Sequence, residues 1–116
     1  MITLDFLSAF GADVSAGMGR CLNNEAFYLR LVNMAVKDPS YPLLKESLAA
    51  GDLKTAFDAA HSLKGLLGNL GLSPLYDAAS ELTELLRHPK GDEDFEPLLT
   101  KLTEKYDELA AACEQL

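Results

Sequence analysis

The stretch LKTAFDAAHSLKGLLGNLG, residues 53–71, decides how the rest of the chain is read. Wound at about 100° per residue, it gathers Ala56, Ala59, Ala60, Leu63, Leu66, Leu67 and Leu70 on one broad side. That is an apolar face suited to a core. His61, Lys64, Gly65 and Gly68 fall on the opposite side at i, i+3, i+4 and i+7, with Lys54 and Phe57 also outward. The spacing predicts a helix from about Leu53 to Leu70, capped by Asp52 and ended by Gly71.

Outward from this helix the punctuation is again helical. Downstream, Ser73-Pro74 predicts a helix start, since Ser caps and Pro suits the first helical position. That helix runs to about Arg87, before Pro89, and His88 to Asp94 reads as a polar turn around Gly91. The last helix, about Asp94 to Cys113, keeps Leu98, Leu102, Tyr106 and Leu109 in register. Asp92, Glu93, Asp94 and Glu96 enrich its start, where they favour the helix dipole.

Upstream, Ser40 to Ala50 reads as a helix with Leu43, Leu44 and Leu48 inward, closed by Gly51. Before it, Asn24 caps a helix carrying Phe27, Leu31 and Ala35, stopped by Asp38-Pro39. Thr3 caps Leu4 to Phe10, ended by Gly11, and Asp13 caps a short turn through Met18 to Leu22. No segment alternates with period two, so no strand is expected. The expected fold is all-α: an antiparallel four-helix bundle within residues 24–113, with residues 1–22 as short covering segments of one domain over 1–116.

Composition supports this. Apolar residues make up 48% of the 116, with no Trp and only 8% aromatics, so the core must be mainly Leu and Ala. The net charge of −8 would be repelled by phosphate backbones and anionic lipid. Nucleic acid and membrane surfaces are therefore not expected partners, and a basic protein surface fits better. Cys21 and Cys113 belong to no CxxC or Cys/His pattern, which suggests free thiols in a reducing cytoplasm. The start has no basic n-region, and no run approaches the roughly 20 apolar residues of a membrane span. A cytoplasmic monomer is expected.

The anomaly is glycine. Gly65 and Gly68 lie inside the predicted helix, each costing roughly 1 kcal/mol relative to Ala, and both flank the face of His61. Missing side chains there leave the imidazole clear and let another backbone approach. A group that must enter a partner's active site needs such clearance. Imidazole has an ordinary pKa of about 6.5, so a neutral nucleophilic ring is available at cellular pH. Its attack on an activated phosphoryl group yields a phosphoramidate, and Lys64 can supply the positive charge that a phosphoryl group requires. No Glu-x-x-His repeat suggests a di-metal bundle, and no cleft suggests a glycosidase pair, so no metal ligands are assigned.

The run His61-Ser62-Leu63-Lys64-Gly65-Leu66-Leu67-Gly68-Asn69-Leu70-Gly71 resembles the signature of histidine phosphotransfer (HPt) domains. It matches at His61, Lys64, Gly65, Gly68, Asn69 and Gly71, and residues 75–87 resemble the family's next helix. The resemblance implies a four-helix bundle with an exposed His that takes a phosphoryl group from a receiver-domain Asp and donates it to another. It implies receiver domains of response regulators or hybrid sensor histidine kinases as partners, with Mg²⁺ on the receiver and no cofactor on this chain. It makes the chain a phosphocarrier rather than an enzyme, phosphorylated on Nε2. It also implies a polar residue on the following helix bonding the imidazole and a basic one assisting the phosphate; Thr83 and Arg87 occupy those positions, Thr83 being shorter than the family's usual residue.

Gly65 and Gly68 are expected to clear the way for the receiver, although close helix packing would also explain a glycine. Phe57 either packs under an N-terminal segment or joins the docking surface. Gly71 and Asn69 are expected to be structural, and His88 a surface or capping residue. The alternative function is a helical adaptor or scaffold that binds a receiver or sensor kinase without chemistry. A weaker one is a regulator that occupies a kinase's docking surface.

Overall fold

The computed structural model describes residues 2–91 and 93–114; Met1, Gln115, Leu116 and Asp92, one of the acids expected at the start of the last helix, lie outside them. The described residues form seven helices and no strand: α1 (Leu4–Phe10), α2 (Val14–Arg20), α3 (Glu25–Ala35), α4 (Ser40–Ala50), α5 (Leu53–Asn69), α6 (Ser73–Arg87) and α7 (Glu96–Glu114). The fold is an all-helical bundle. Four starts follow from side-chain caps: Thr3, Asp13, Asn24 and Asp52 each accept from the N–H three residues on, at 3.0–3.2 Å.

Three boundaries differ from expectation, each for a local reason. Ser73 is the first helical residue of α6 rather than its cap; the fully buried Leu72 precedes it and makes no side-chain capping bond. Helix α7 begins at Glu96, because Glu93 accepts from the Lys90 and Gly91 N–H groups and Asp94 accepts from Glu96. Those acids shape the preceding turn instead of lying in the helix. Helix α2 ends at Arg20: Leu22 and Asn23 take positive φ, and Leu22 is 87% exposed.

Helix α4 packs on α5, α5 on α6 and α6 on α7, while α1, α2 and α3 contact one another in sequence. One core of buried residues runs from Ile2 to Ala112, built chiefly of Leu and Ala. The largest fully buried side chains include Tyr28 and Tyr106. Tyr106 donates its hydroxyl to the Ala35 carbonyl and stacks on Tyr41 with centroids 3.9 Å apart. These contacts join α3, α4 and α7.

The inward register of two helices is shifted. In α3, Tyr28, Val32 and Ala35 are buried, while Phe27 is 40% exposed and Leu31 half-buried. The hydroxyl of Tyr28 reaches the Leu70 carbonyl at 2.7 Å, which satisfies a polar group that burial would otherwise strand. In α4, Tyr41, Leu44 and Ser47 face inward and Leu43 is 43% exposed; Ser47 is accommodated by donating to the Leu43 carbonyl at 2.7 Å. Leu66 of α5 is half-buried rather than in the core.

Candidate functional site

Helix α5 presents His61 exposed near its middle, with Ala59, Ala60 and Leu63 buried on its inner side. One turn earlier, the half-buried Phe57 stacks on the imidazole, ring centroids 5.9 Å apart and planes at 13°. The Arg87 guanidinium of α6 lies 5.3 Å from the Phe57 ring centroid. Arg87 also bonds Glu84 at 3.2 Å, and that hydrogen bond, with the charge behind it, holds the Glu84 carboxyl below its ordinary range. Phe57 thus contacts both the imidazole and the basic residue of α6.

The two glycines play different parts. A Cβ added at Gly65 would meet nothing within 4 Å, so the space beside His61 is open. At Gly68 an added Cβ would meet the Tyr76 ring at 3.0 Å. The ring of Tyr76 from α6 therefore packs against Gly68, a contact of the kind the close-packing alternative describes, while Gly68 still lines the open groove beside His61.

Thr83 faces the interior of the bundle. It is fully buried, and its hydroxyl donates to the Ala79 carbonyl at 2.7 Å, one turn back in its own helix. The proton expected to serve the imidazole is engaged elsewhere. His88 is the exposed C-cap of α6.

A groove of about 500 Å³ runs from His61 along the Lys64, Gly65 and Gly68 face toward the end of α5. Tyr76 lines it from α6 and Arg20 from α2. Sequence reasoning missed both. Arg20 donates to the Gly68 carbonyl at 2.8 Å and the Asn69 carbonyl at 3.3 Å, contacts 48 and 49 residues away that no local pattern signals.

These bonds belong to a larger arrangement. The last carbonyls of a helix lack partners within it. Here Arg20 takes that of Asn69 and joins the Gly71 N–H on Gly68, Tyr28 takes Leu70, and the Asp13 N–H donates at 2.7 Å to the Gly71 carbonyl, which also accepts from the Ser73 N–H. Gly71 itself has φ +68°, the left-handed conformation that ends the helix, and a Cβ there would run into the Asp13 carbonyl. Residues 13–28 therefore seal the end of the His-bearing helix.

A family model described as the Hpt domain matches residues 41–116. The chain belongs to the Hpt domain family. No curated protein and no solved structure matches it. Hpt domains are phosphocarrier modules of phosphorelays that interact with receiver domains. The Hpt match takes in Phe57, His61, Lys64, Gly65, Gly68, Tyr76, Thr83 and Arg87, whereas Arg20 and the α1–α3 region precede it. No described helix of this Hpt protein is long and apolar enough to cross a membrane.

Proposed function

We propose that this Hpt protein is a cytoplasmic, monomeric intermediate of a multistep phosphorelay, taking a phosphoryl group from one receiver-domain aspartate onto His61 and giving it to another. The observation that carries the reading is the exposed imidazole of His61 on a helix face left open by Gly65, with Lys64 one turn away, inside the Hpt match.

In the forward step the Nε2 lone pair attacks phosphorus. The P–O bond to the aspartyl group breaks, its electron pair leaves on the carboxylate, and Nδ1 keeps its proton. Donation reverses these changes. Lys64 offsets the charge on the transferred group, Gly65 admits the partner's backbone, and Phe57 holds the ring. Arg87, placed against Phe57, is the basic residue that α6 contributes. The receiver supplies Mg²⁺ and most of the catalytic groups, so this chain acts as a carrier rather than an enzyme and needs no cofactor of its own. The packing order α4–α5–α6–α7 fits an antiparallel four-helix bundle, with the N-terminal helices covering one end of a single domain.

The test is transfer from purified receiver domains charged with labelled acetyl phosphate to the full chain and to His61→Gln. An acid-labile, base-stable label on the wild type alone is the expected result. Binding without label across the receivers, with His61→Gln equally active in signalling, would replace the carrier with the adaptor or scaffold reading.

A further inference from the structure

We propose that Arg20 is a docking residue for the receiver, contributed by the N-terminal region to the groove that holds His61. The inference rests on the phosphocarrier reading above and extends it to a residue outside the family match.

Three observations converge on Arg20. Its Nη1 is anchored on two carbonyls at the end of α5, at 2.8 and 3.3 Å, so the guanidinium is held in one place although the residue is exposed. A guanidinium has five N–H donors in a fixed fork, and this anchorage uses only one of its nitrogens. The Nε and Nη2 donors remain to meet a carboxylate.

The second observation is location. Arg20 lines the same groove as His61 and Lys64. Gly68 lies seven residues beyond His61, which at 1.5 Å per residue places the anchor about 10 Å along the helix from the imidazole. That is too far for contact with a phosphoryl group on the ring and well within the footprint of a docked domain. Arg20 is therefore a positioning residue and not a catalytic one.

The third is charge. The chain has 18 acidic and 10 basic residues, yet the salt bridges among the described residues are Arg87–Glu84, Lys101–Glu81 and Lys105–Glu108. Among the described residues neither Arg20 nor Lys64 forms a salt bridge, and the groove they line holds one carboxylate, Asp13. Two cations against one carboxylate leave this groove of an acidic protein complementary to an acidic surface around the partner's phosphorylated aspartate. An exposed cation of this kind acts on encounter and register, and its contribution weakens with salt.

The experiment compares the full chain with Arg20→Gln and Arg20→Lys in steady-state transfer from the labelled receiver domain that charges the wild type fastest, across a series of salt concentrations. Arg20→Gln is expected to raise KM about three- to fivefold with kcat unchanged, and to flatten the dependence of kcat/KM on salt. Arg20→Lys, which keeps the charge, is expected to restore most of the salt dependence. A thermal melt of each variant reads the capping of α5 separately. Wild-type KM and salt dependence in Arg20→Gln would overturn the proposal. So would a lower melting temperature and lower kcat with the salt dependence unchanged, which assigns Arg20 to helix capping alone. Absence of label on the wild type with every receiver would overturn both this inference and the function beneath it.

Discussion

The rings of Phe57 and His61 lie nearly parallel one helical turn apart, with centroids separated by 5.9 Å. Arg87 of α6 sits over Phe57, so the ring stacked on the imidazole also contacts α6. Stacking and cation–π contacts are each worth about 0.5–1.5 kcal/mol. Phe57→Leu keeps apolar volume but removes both, and is expected to slow transfer to His61 about three- to tenfold in rapid-quench measurements while the domain stays folded. An unchanged rate would reduce Phe57 to packing.

Gly65 and Gly68 should respond oppositely to a methyl group. Gly65→Ala meets open space and is expected to raise stability by about 0.5–1 kcal/mol through helix propensity. At Gly68 the same change meets Tyr76 at 3.0 Å, and the crowding offsets that gain. A double-mutant cycle with Tyr76→Ala, read by denaturant unfolding, should restore the gain at Gly68 and leave Gly65 unaffected. Additivity at Gly68 would refute the packing account.

Thr83→Val tests where the hydroxyl acts. The Ala79 carbonyl keeps its helical N–H partner when the side-chain donor is removed, so stability should change by less than about 1 kcal/mol. Transfer kinetics should stay within about twofold of wild type, a change too small to reflect loss of a charge-assisted hydrogen bond. A loss of a hundredfold would show that the hydroxyl leaves Ala79 for the imidazole during the reaction.

Much of this architecture was legible in local sequence. The caps at Thr3, Asp13, Asn24 and Asp52 and the terminator at Gly71 act within a few residues, and the helices they bound follow expectation closely. Register was less legible: Phe27 and Tyr28 are both large and apolar enough to be buried, and distant partners, the Leu70 carbonyl and the close-packed Gly17, receive Tyr28. The same limit applies at the site. His61, Lys64 and Gly65 sit on one helix and declare themselves by spacing, whereas Tyr76 against Gly68 and Arg20 on the end of α5 are tertiary contacts.

Alkaline pH offers a readout of Tyr28. Burial chiefly, with the nearby Cys21 and Asp13 charges, pushes its hydroxyl from the ordinary 10 up to about 12. The folded state holds this proton more tightly than the unfolded chain, so the contribution is fully present below about pH 10 and is lost as pH rises toward 12. Burial raises Tyr106 as well. Denaturant unfolding from pH 9 to 12 should therefore show falling stability, with a shallower fall in Tyr28→Phe. Parallel curves would mean that Tyr28 ionises alike in both states.

The capping of α5 by Asp13, Arg20 and Tyr28 also bears on portability. The family match begins at residue 41, yet the carbonyls of Gly68, Asn69, Leu70 and Gly71 find their outside donors among residues 13–28. The transplantable unit for building chimeric relays is thus larger than the family boundary. A graft of residues 41–116 alone would carry the histidine but leave behind Asp13, Arg20 and Tyr28, keeping only local donors such as the Gly71 N–H to Gly68 and the Ser73 N–H to Gly71.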